Sequence, residues 1–179
     1  MTGLNAERGR RAKQSGKLRA FQEALSRRIG NAASVVQKDL RLGVRLGGRD
    51  WLIALPDAGE VIAVPPITPV PLTKAWVVGI ANVRGRLYAV SDLSVFFGAA
   101  PTQIQPQARL LLVGQRKDSN AAILVERVFG LRSLTGLESL TSDGAGWALA
   151  EYRDAQGQHF SELALPRLLA APEFAEAAL

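Results

Sequence analysis

The sequence contains no cysteine and one histidine in 179 residues. Without thiols there is neither a disulfide framework nor a thiolate metal site, which permits a reducing compartment. A nitrogen-ligated zinc centre needs two or three histidines, and His159 stands alone. A Ser-His-Asp relay would have to use it, yet no G-x-S-x-G elbow presents a serine. No G-x-x-x-x-G-K-[ST] phosphate loop occurs, and no G-x-G-x-x-G lies between a strand and a helix. Paired carboxylates find no support in the spacing of the acids. These absences predict a binding domain rather than an enzyme, with no cofactor, no metal and no catalytic residue. No apolar run approaches the roughly 18 residues of a membrane span. The basic N-terminus lacks the apolar stretch of a signal peptide. The expectation is a cytoplasmic protein.

What is present is unevenly distributed. The net charge is +6 overall, but residues 1–49 carry +9 and residues 50–179 carry −3. A nucleic-acid-binding barrel would place its cations and aromatics on its strands. Here the cations sit in the first part of the chain, and aromatics are only 6% of the composition. A small β-barrel that uses the basic N-terminal arm on phosphates is the alternative reading.

Residues 1–16 are polar, basic and Gly-containing, which predicts disorder. Leu18, Phe21, Leu25 and Ile29 then recur at helical spacing, predicting an amphipathic helix over 17–29 that packs on the body or on a partner. From residue 40 the period changes to two. Leu42, Val44 and Leu46 alternate with polar residues up to Gly47-Gly48-Arg49, and Trp51, Ile53 and Leu55 alternate beyond it. That is a hairpin with one buried face. A strand over 60–64 stops at Pro65-Pro66, and 65–71 reads as a stiff loop. Two strands flank a Gly turn at 84–86, and Asp92 is placed to cap a short helical turn over 93–97 that stops at Gly98. Residues 99–108, with two prolines and no formal charge before Arg109, read as an internal boundary. Strands follow at 109–114, 121–125, 147–152 and 160–163, with turns at 117–120 and 154–157 and two short helical pieces beyond Pro166. Many short strands at regular spacing predict an all-β sandwich or barrel. Ile53, Val78, Ile80, Val83, Leu87, Val90, Leu111, Val113, Ile123 and Val125 are its expected core.

The segment 77–93, VVGIANVRGRLYAVSDL, resembles the central signature of the CheW family. An apolar strand with an internal Gly leads into an Asn-x-Arg-Gly turn, and a second strand ends in Asp-Leu. Weaker similarity runs over residues 42–62, 121–134 and 157–169, so that the resemblance spans roughly residues 40–170. The 74–79 segment, the Asn-Val-Arg-Gly-Arg-Leu turn and the trailing Phe-Phe-Gly are similar to the variant used in twitching-motility (type IV pilus) systems. The residues at Ala89 and Ser91 depart from the family's usual proline and aliphatic.

The resemblance implies two packed five-stranded SH3-like β-barrels over residues 40–172. Flanking them would be a basic extension over 1–39, helical at 17–29, and a tail over 173–179 beyond short C-terminal helices. It implies a non-catalytic scaffold that couples methyl-accepting chemoreceptors to a chemotaxis-type histidine kinase. The implied partners are the CheA-like regulatory domain of that kinase and the cytoplasmic tip of a receptor. Nucleic acid is not among them, and the membrane is reached only through receptors. It further suggests that Arg84 pairs with Glu60. Glu60, Gly79, Asn82, Arg84 and Gly85 are the expected partner-binding residues.

Overall fold

The computed structural model describes residues 39–113, 120–141 and 146–177. The disorder expected over 1–16, the helix expected over 17–29 and most of the 117–120 turn lie outside them. Twelve strands, three short helices and one 3-10 turn make up the described chain.

The first sheet orders its strands β10 (Glu138–Leu140), β11 (Ala148–Arg153), β12 (His159–Leu163), β2 (Arg49–Ala54), β1 (Leu40–Leu46) and β9 (Arg127–Ser133). The second orders β4 (Ile67–Thr68), β5 (Val77–Val83), β6 (Arg86–Asp92), β8 (Ala121–Val125), β7 (Arg109–Val113) and β3 (Val61–Ala63). The all-β reading with two curled, packed sheets therefore holds. Each sheet has six strands where the resemblance implies five, β4 being only two residues long. β4, β9 and β10 were not read from the sequence as strands.

Both sheets follow one plan. An antiparallel meander, β10-β11-β12 or β4-β5-β6, joins in parallel to a hairpin that carries one further strand. The parallel joints are β12 on β2 and β6 on β8. In chain order this makes two consecutive units, β1–β6 and β7–β12. Each ends in a short helix, α1 (Leu93–Phe96) or α2 (Leu165–Leu169), and each contributes its opening hairpin to the barrel of the other. Residues 99–108 consequently do not divide the barrels, because β6 before them and β7 after them belong to the same sheet.

The exchanged hairpins meet face to face. Leu42, Val44, Leu46, Trp51 and Ile53 of β1–β2 join Leu111, Val113, Ile123 and Val125 of β7–β8 in one core, sealed by Leu93, Leu163, Leu165 and Leu168. A second core fills barrel two with Val83, Tyr88, Val90, Leu110, Leu112 and Leu124. β7 is apolar on both faces for this reason, as a strand covered on both sides must be. β1 is apolar on one face only, and its Arg41 turns into barrel one, where Nε donates to Glu162 Oε1 at 2.6 Å.

The expected core is buried at Ile53, Val83, Val90, Leu111, Val113, Ile123 and Val125, and half-buried at Val78. Ile80 and Leu87 are exposed, at 37% and 60%. A register shift between Val77 and Gly79 puts Gly79, Ala81 and Val83 on the inner face and turns Ile80 outward. Leu87 is on the outer face of β6, opposite Asn82.

Candidate functional site: the β5–β6 hairpin

β5 and β6 pair from Val77↔Ser91 to Val83↔Arg86, leaving Arg84-Gly85 as a two-residue loop. Both loop residues have positive φ, +52° at Arg84 and +82° at Gly85. That is the primed turn whose twist matches the flanking strands. Glycine takes this conformation freely, whereas an arginine needs support to hold it. Asn82 supplies part of that support: its Oδ1 accepts the Gly85 N–H at 2.9 Å, closing the loop from below. Gly85 has open space around its missing side chain, so its conformation rather than crowding favours glycine there.

Arg84 meets Glu60 in a two-pronged pair, Nη1 to Oε2 at 2.9 Å and Nη2 to Oε1 at 2.5 Å. The planar guanidinium suits this fork-on-fork arrangement, which a lysine could not reproduce. The hydrogen bonds to Glu60, and then its charge, push the guanidinium further above its already high range. Both side chains remain solvent-accessible, Arg84 much the more so.

Glu60 is itself fixed by its backbone, since its carbonyl accepts the Leu112 N–H of β7 at 2.8 Å. Gly59 makes this approach possible, because a Cβ there would stand 1.9 Å from the Leu112 carbonyl oxygen. Glu60 leads into β3 at one edge of the second sheet, while Arg84 caps the hairpin near the other edge. In a curled sheet the pair therefore spans the mouth of barrel two. Around it the outer face of the hairpin offers Ile80, Leu87 and Ala89 to solvent, and Arg86 is exposed at the start of β6.

The structure thus brings Glu60, Asn82, Arg84 and Gly85 together and leaves Gly79 apart. Gly79 is buried, and at φ +147° its absent Cβ would fall 2.2 Å from the Thr68 carbonyl oxygen. It admits the backbone of β4, a strand of the same chain. Gly59, Ile80 and Leu87 belong to the neighbourhood but were not singled out as site residues. The sequence signal for Gly59 was its place directly before Glu60. For the two exposed apolars it was their pairing with Ala89 and Asn82 across the hairpin.

Among the described residues no cluster of three or more His, Cys, Asp or Glu side chains could hold a metal, and no helix is long and apolar enough to cross a membrane. What the fold and the hairpin define is a scaffold: two barrels locked by exchanged hairpins, presenting a charged and apolar outer edge. The chain belongs to the CheW-like domain family, whose model matches residues 41–172. CheW-like proteins are non-catalytic scaffolds of chemotaxis-type signalling. The chain is 39% identical over 97 residues to the protein PilI of Pseudomonas aeruginosa, covering 54% of either chain. It is 31% identical over 114 residues to the protein FrzA of Myxococcus xanthus, covering 64% of this chain and 65% of that one. These alignments span about half to two thirds of the relatives' length. The scaffolding protein TtCheW of Thermoanaerobacter tengcongensis superposes with a TM-score of 0.62 at 19% identity, covering 75% of this chain and 94% of that structure. That likeness carries the fold.

Proposed function

We propose that this chain couples methyl-accepting chemoreceptors to a CheA-like histidine kinase in a type IV pilus chemosensory system, and that it joins membrane-associated receptor arrays through those partners. The observation that carries the reading is the β5–β6 hairpin. Ile80 and Leu87 stand exposed beside the Arg84–Glu60 pair. An apolar patch with an arginine beside it has the composition of an interface, where arginine is enriched and lysine depleted. The relationship to PilI and FrzA supports the pilus assignment. The charge balance weighs against nucleic acid, because residues 50–179 are net acidic.

The test is co-sedimentation with receptor-bearing membranes and kinase, run beside thermal unfolding of each variant. Arg84→Glu and Leu87→Asp alter exposed positions, so both variants should stay folded. Each should lower capture by about tenfold or more, the size of an interface hot spot. Two folded variants captured as well as the unmodified chain would place docking elsewhere.

A further inference from the structure

The parallel joint between β12 and β2 is short. Ser161↔Trp51 and Glu162↔Leu52 are its two registered pairs, so the first residues of both strands, Arg49-Asp50 and His159-Phe160, lie beyond the paired stretch. Between the tips of the β1–β2 and β11–β12 hairpins a cavity of about 390 Å3 opens. That is within the roughly 300–1,000 Å3 of small-molecule sites. Gly48 apart, every residue lining it has a polar side chain.

Two unlike charges in this cavity are held apart by a buried hydroxyl. Ser161, 3% exposed, donates to Glu151 Oε2 at 2.8 Å and accepts from Arg49 Nη2 at 3.4 Å. Strand order causes the separation. Glu151 pairs with Ser161 across β11 and β12, and Ser161 with Trp51, two residues past Arg49, across β12 and β2. Neighbouring strands stand about 4.8 Å apart, so the serine strand keeps the two charged strands from meeting. Arg49 and Glu151 form no ion pair with each other or with any other described residue. Arg49 lies instead over the Trp51 ring at 5.4 Å. Asp50, by contrast, is satisfied by the protein: it accepts from Arg45 Nε at 2.8 Å and from Gln158 Nε2. Arg45 meets it through Nε, and its terminal amino groups have no partner among the described residues.

We propose that this cavity binds a small zwitterion of the α-amino-acid class. A simple anion placed there meets Glu151, and a simple cation meets Arg49; a molecule of both signs satisfies both. In an α-amino acid two bonds of about 1.5 Å each separate the nitrogen from the carboxylate carbon. Such a ligand spans the gap that one serine oxygen now bridges. Its carboxylate sits against the Arg49 guanidinium, whose planar fork suits it, with the terminal nitrogens of Arg45 as further donors. Its ammonium donates to the Glu151 carboxylate. The polar lining, with His159 exposed at the rim, favours a small or polar side chain. The bound molecule ties β2 to β11 across β12 and so stabilises the short joint. This site is independent of the scaffold reading and adds a small-molecule input to barrel one.

The experiment titrates the full, isotopically labelled chain and follows its amide resonances. Glycine, the smallest probe with both charges, and L-serine should give saturable shifts at Arg49, Asp50, Glu151 and Ser161. Acetate and methylammonium, each with one of the two charges, should bind at least about tenfold more weakly. Glycine betaine, whose methylated nitrogen cannot donate to Glu151, should be weakened likewise. Glycine should also raise the thermal midpoint, as any ligand of the folded state does. Arg49→Gln and Glu151→Gln remove charges that form no ion pair, so both variants should stay folded, and each should lower glycine affinity about tenfold or more.

Acetate binding as tightly as glycine overturns the proposal, since the site would then read one charge. So does the absence of saturable shifts with glycine, L-serine, L-glutamine and L-aspartate at millimolar concentrations. Both of these outcomes are read on the unmodified chain and do not depend on the variants' folding. Glycine shifts that persist unchanged in both folded variants place binding elsewhere and overturn it as well.

Discussion

Barrel two is filled as a sheet protein is expected to be, and barrel one is not. Leu110, Leu112, Leu124, Val90 and Tyr88 close the interior of barrel two with apolar atoms from three adjacent strands. Barrel one places Leu52 and Phe160 beside a charged network, in which Arg41 donates to Glu162 and the Tyr152 hydroxyl donates to the other Glu162 oxygen at 3.1 Å. Burial first, and the Glu162 charge second, push the Tyr152 phenol up from its ordinary range, so it is held as a hydrogen-bond donor. The two barrels share a strand plan and differ in how they fix it. Barrel two gains from area removed from water, at roughly 25 cal/mol per Å². Barrel one gains little net stability from its ion pair, since desolvating two charges offsets most of their attraction. It gains register instead, because the pair forms only when β1 and β12 are aligned.

The largest effect should come from breaking that network on one side. Glu162→Leu removes the acceptor of both the Arg41 Nε and the Tyr152 hydroxyl, at a site where only 9% of the Glu162 side chain is exposed. Urea unfolding should show a loss of about 3–5 kcal/mol. Adding Arg41→Met should restore most of it, since an apolar pair of similar volume is tolerated. Leu124→Ala in barrel two should cost about 2–5 kcal/mol, and no second substitution opposite it should give a comparable rescue. If the Arg41→Met, Glu162→Leu double variant is as unstable as the single one, the contrast between the barrels is wrong.

A smaller loss should follow Gly79→Ala, the point where barrel two depends on a close backbone approach rather than on burial. The new methyl meets the Thr68 carbonyl, and the positive φ strains it. Thermal unfolding should register about 1–3 kcal/mol. A neutral result would mean that β4 is free to move aside.

The smallest effect is set by pH. The Asp39 carboxylate, at the start of barrel one, accepts from the Ser133 hydroxyl and from the Thr135 hydroxyl at 2.6 Å. The Ser133 bond, then the Thr135 bond, holds its pKa below the ordinary 3.8. A depressed carboxylate stabilises the fold above its unfolded pKa, and that contribution fades as pH falls through the lower folded value. Asp39→Asn should therefore flatten the fall in stability below about pH 4 and leave the neutral region nearly parallel to the unmodified chain. Denaturant melts across that range check it; parallel curves for both proteins would dismiss the role.

Local chemistry was the legible part of this fold. Gly47 and Gly48 both take positive φ in the first hairpin turn, and Asp92 caps α1 by accepting the Ser94 N–H at 2.9 Å. Such signals act over two or three residues. Pairing of distant segments leaves no such mark. Nothing within 99–108 shows that β6 and β7 share a sheet, and β9 alternates too weakly to declare itself, with only intermediate and exposed positions. The Arg84–Glu60 contact came from resemblance, and the structure supplies its cause: Gly59 and the Leu112 amide hold Glu60 in reach. Outward-facing Ile80 and Leu87 were read as core because periodicity marks apolar positions and does not say which of two faces is covered.

The hairpin exchange also sets an order of events as the chain leaves the ribosome. Every strand of barrel two lies between residues 61 and 125, whereas barrel one needs both ends of the domain. Arg41 and Glu162 are 121 positions apart. At typical synthesis speeds, the interval between the emergence of Val125 and that of Leu163 is about 2–8 s. Throughout it a finished barrel two carries the β1–β2 hairpin on its shared face, with the β2 edge awaiting β12. A nascent or truncated chain caught in that interval presents a strand edge that the β12 of a neighbouring copy fits as well as its own. Crowded translation of this protein thus carries a specific hazard, reciprocal strand exchange between two molecules in place of the exchange within one.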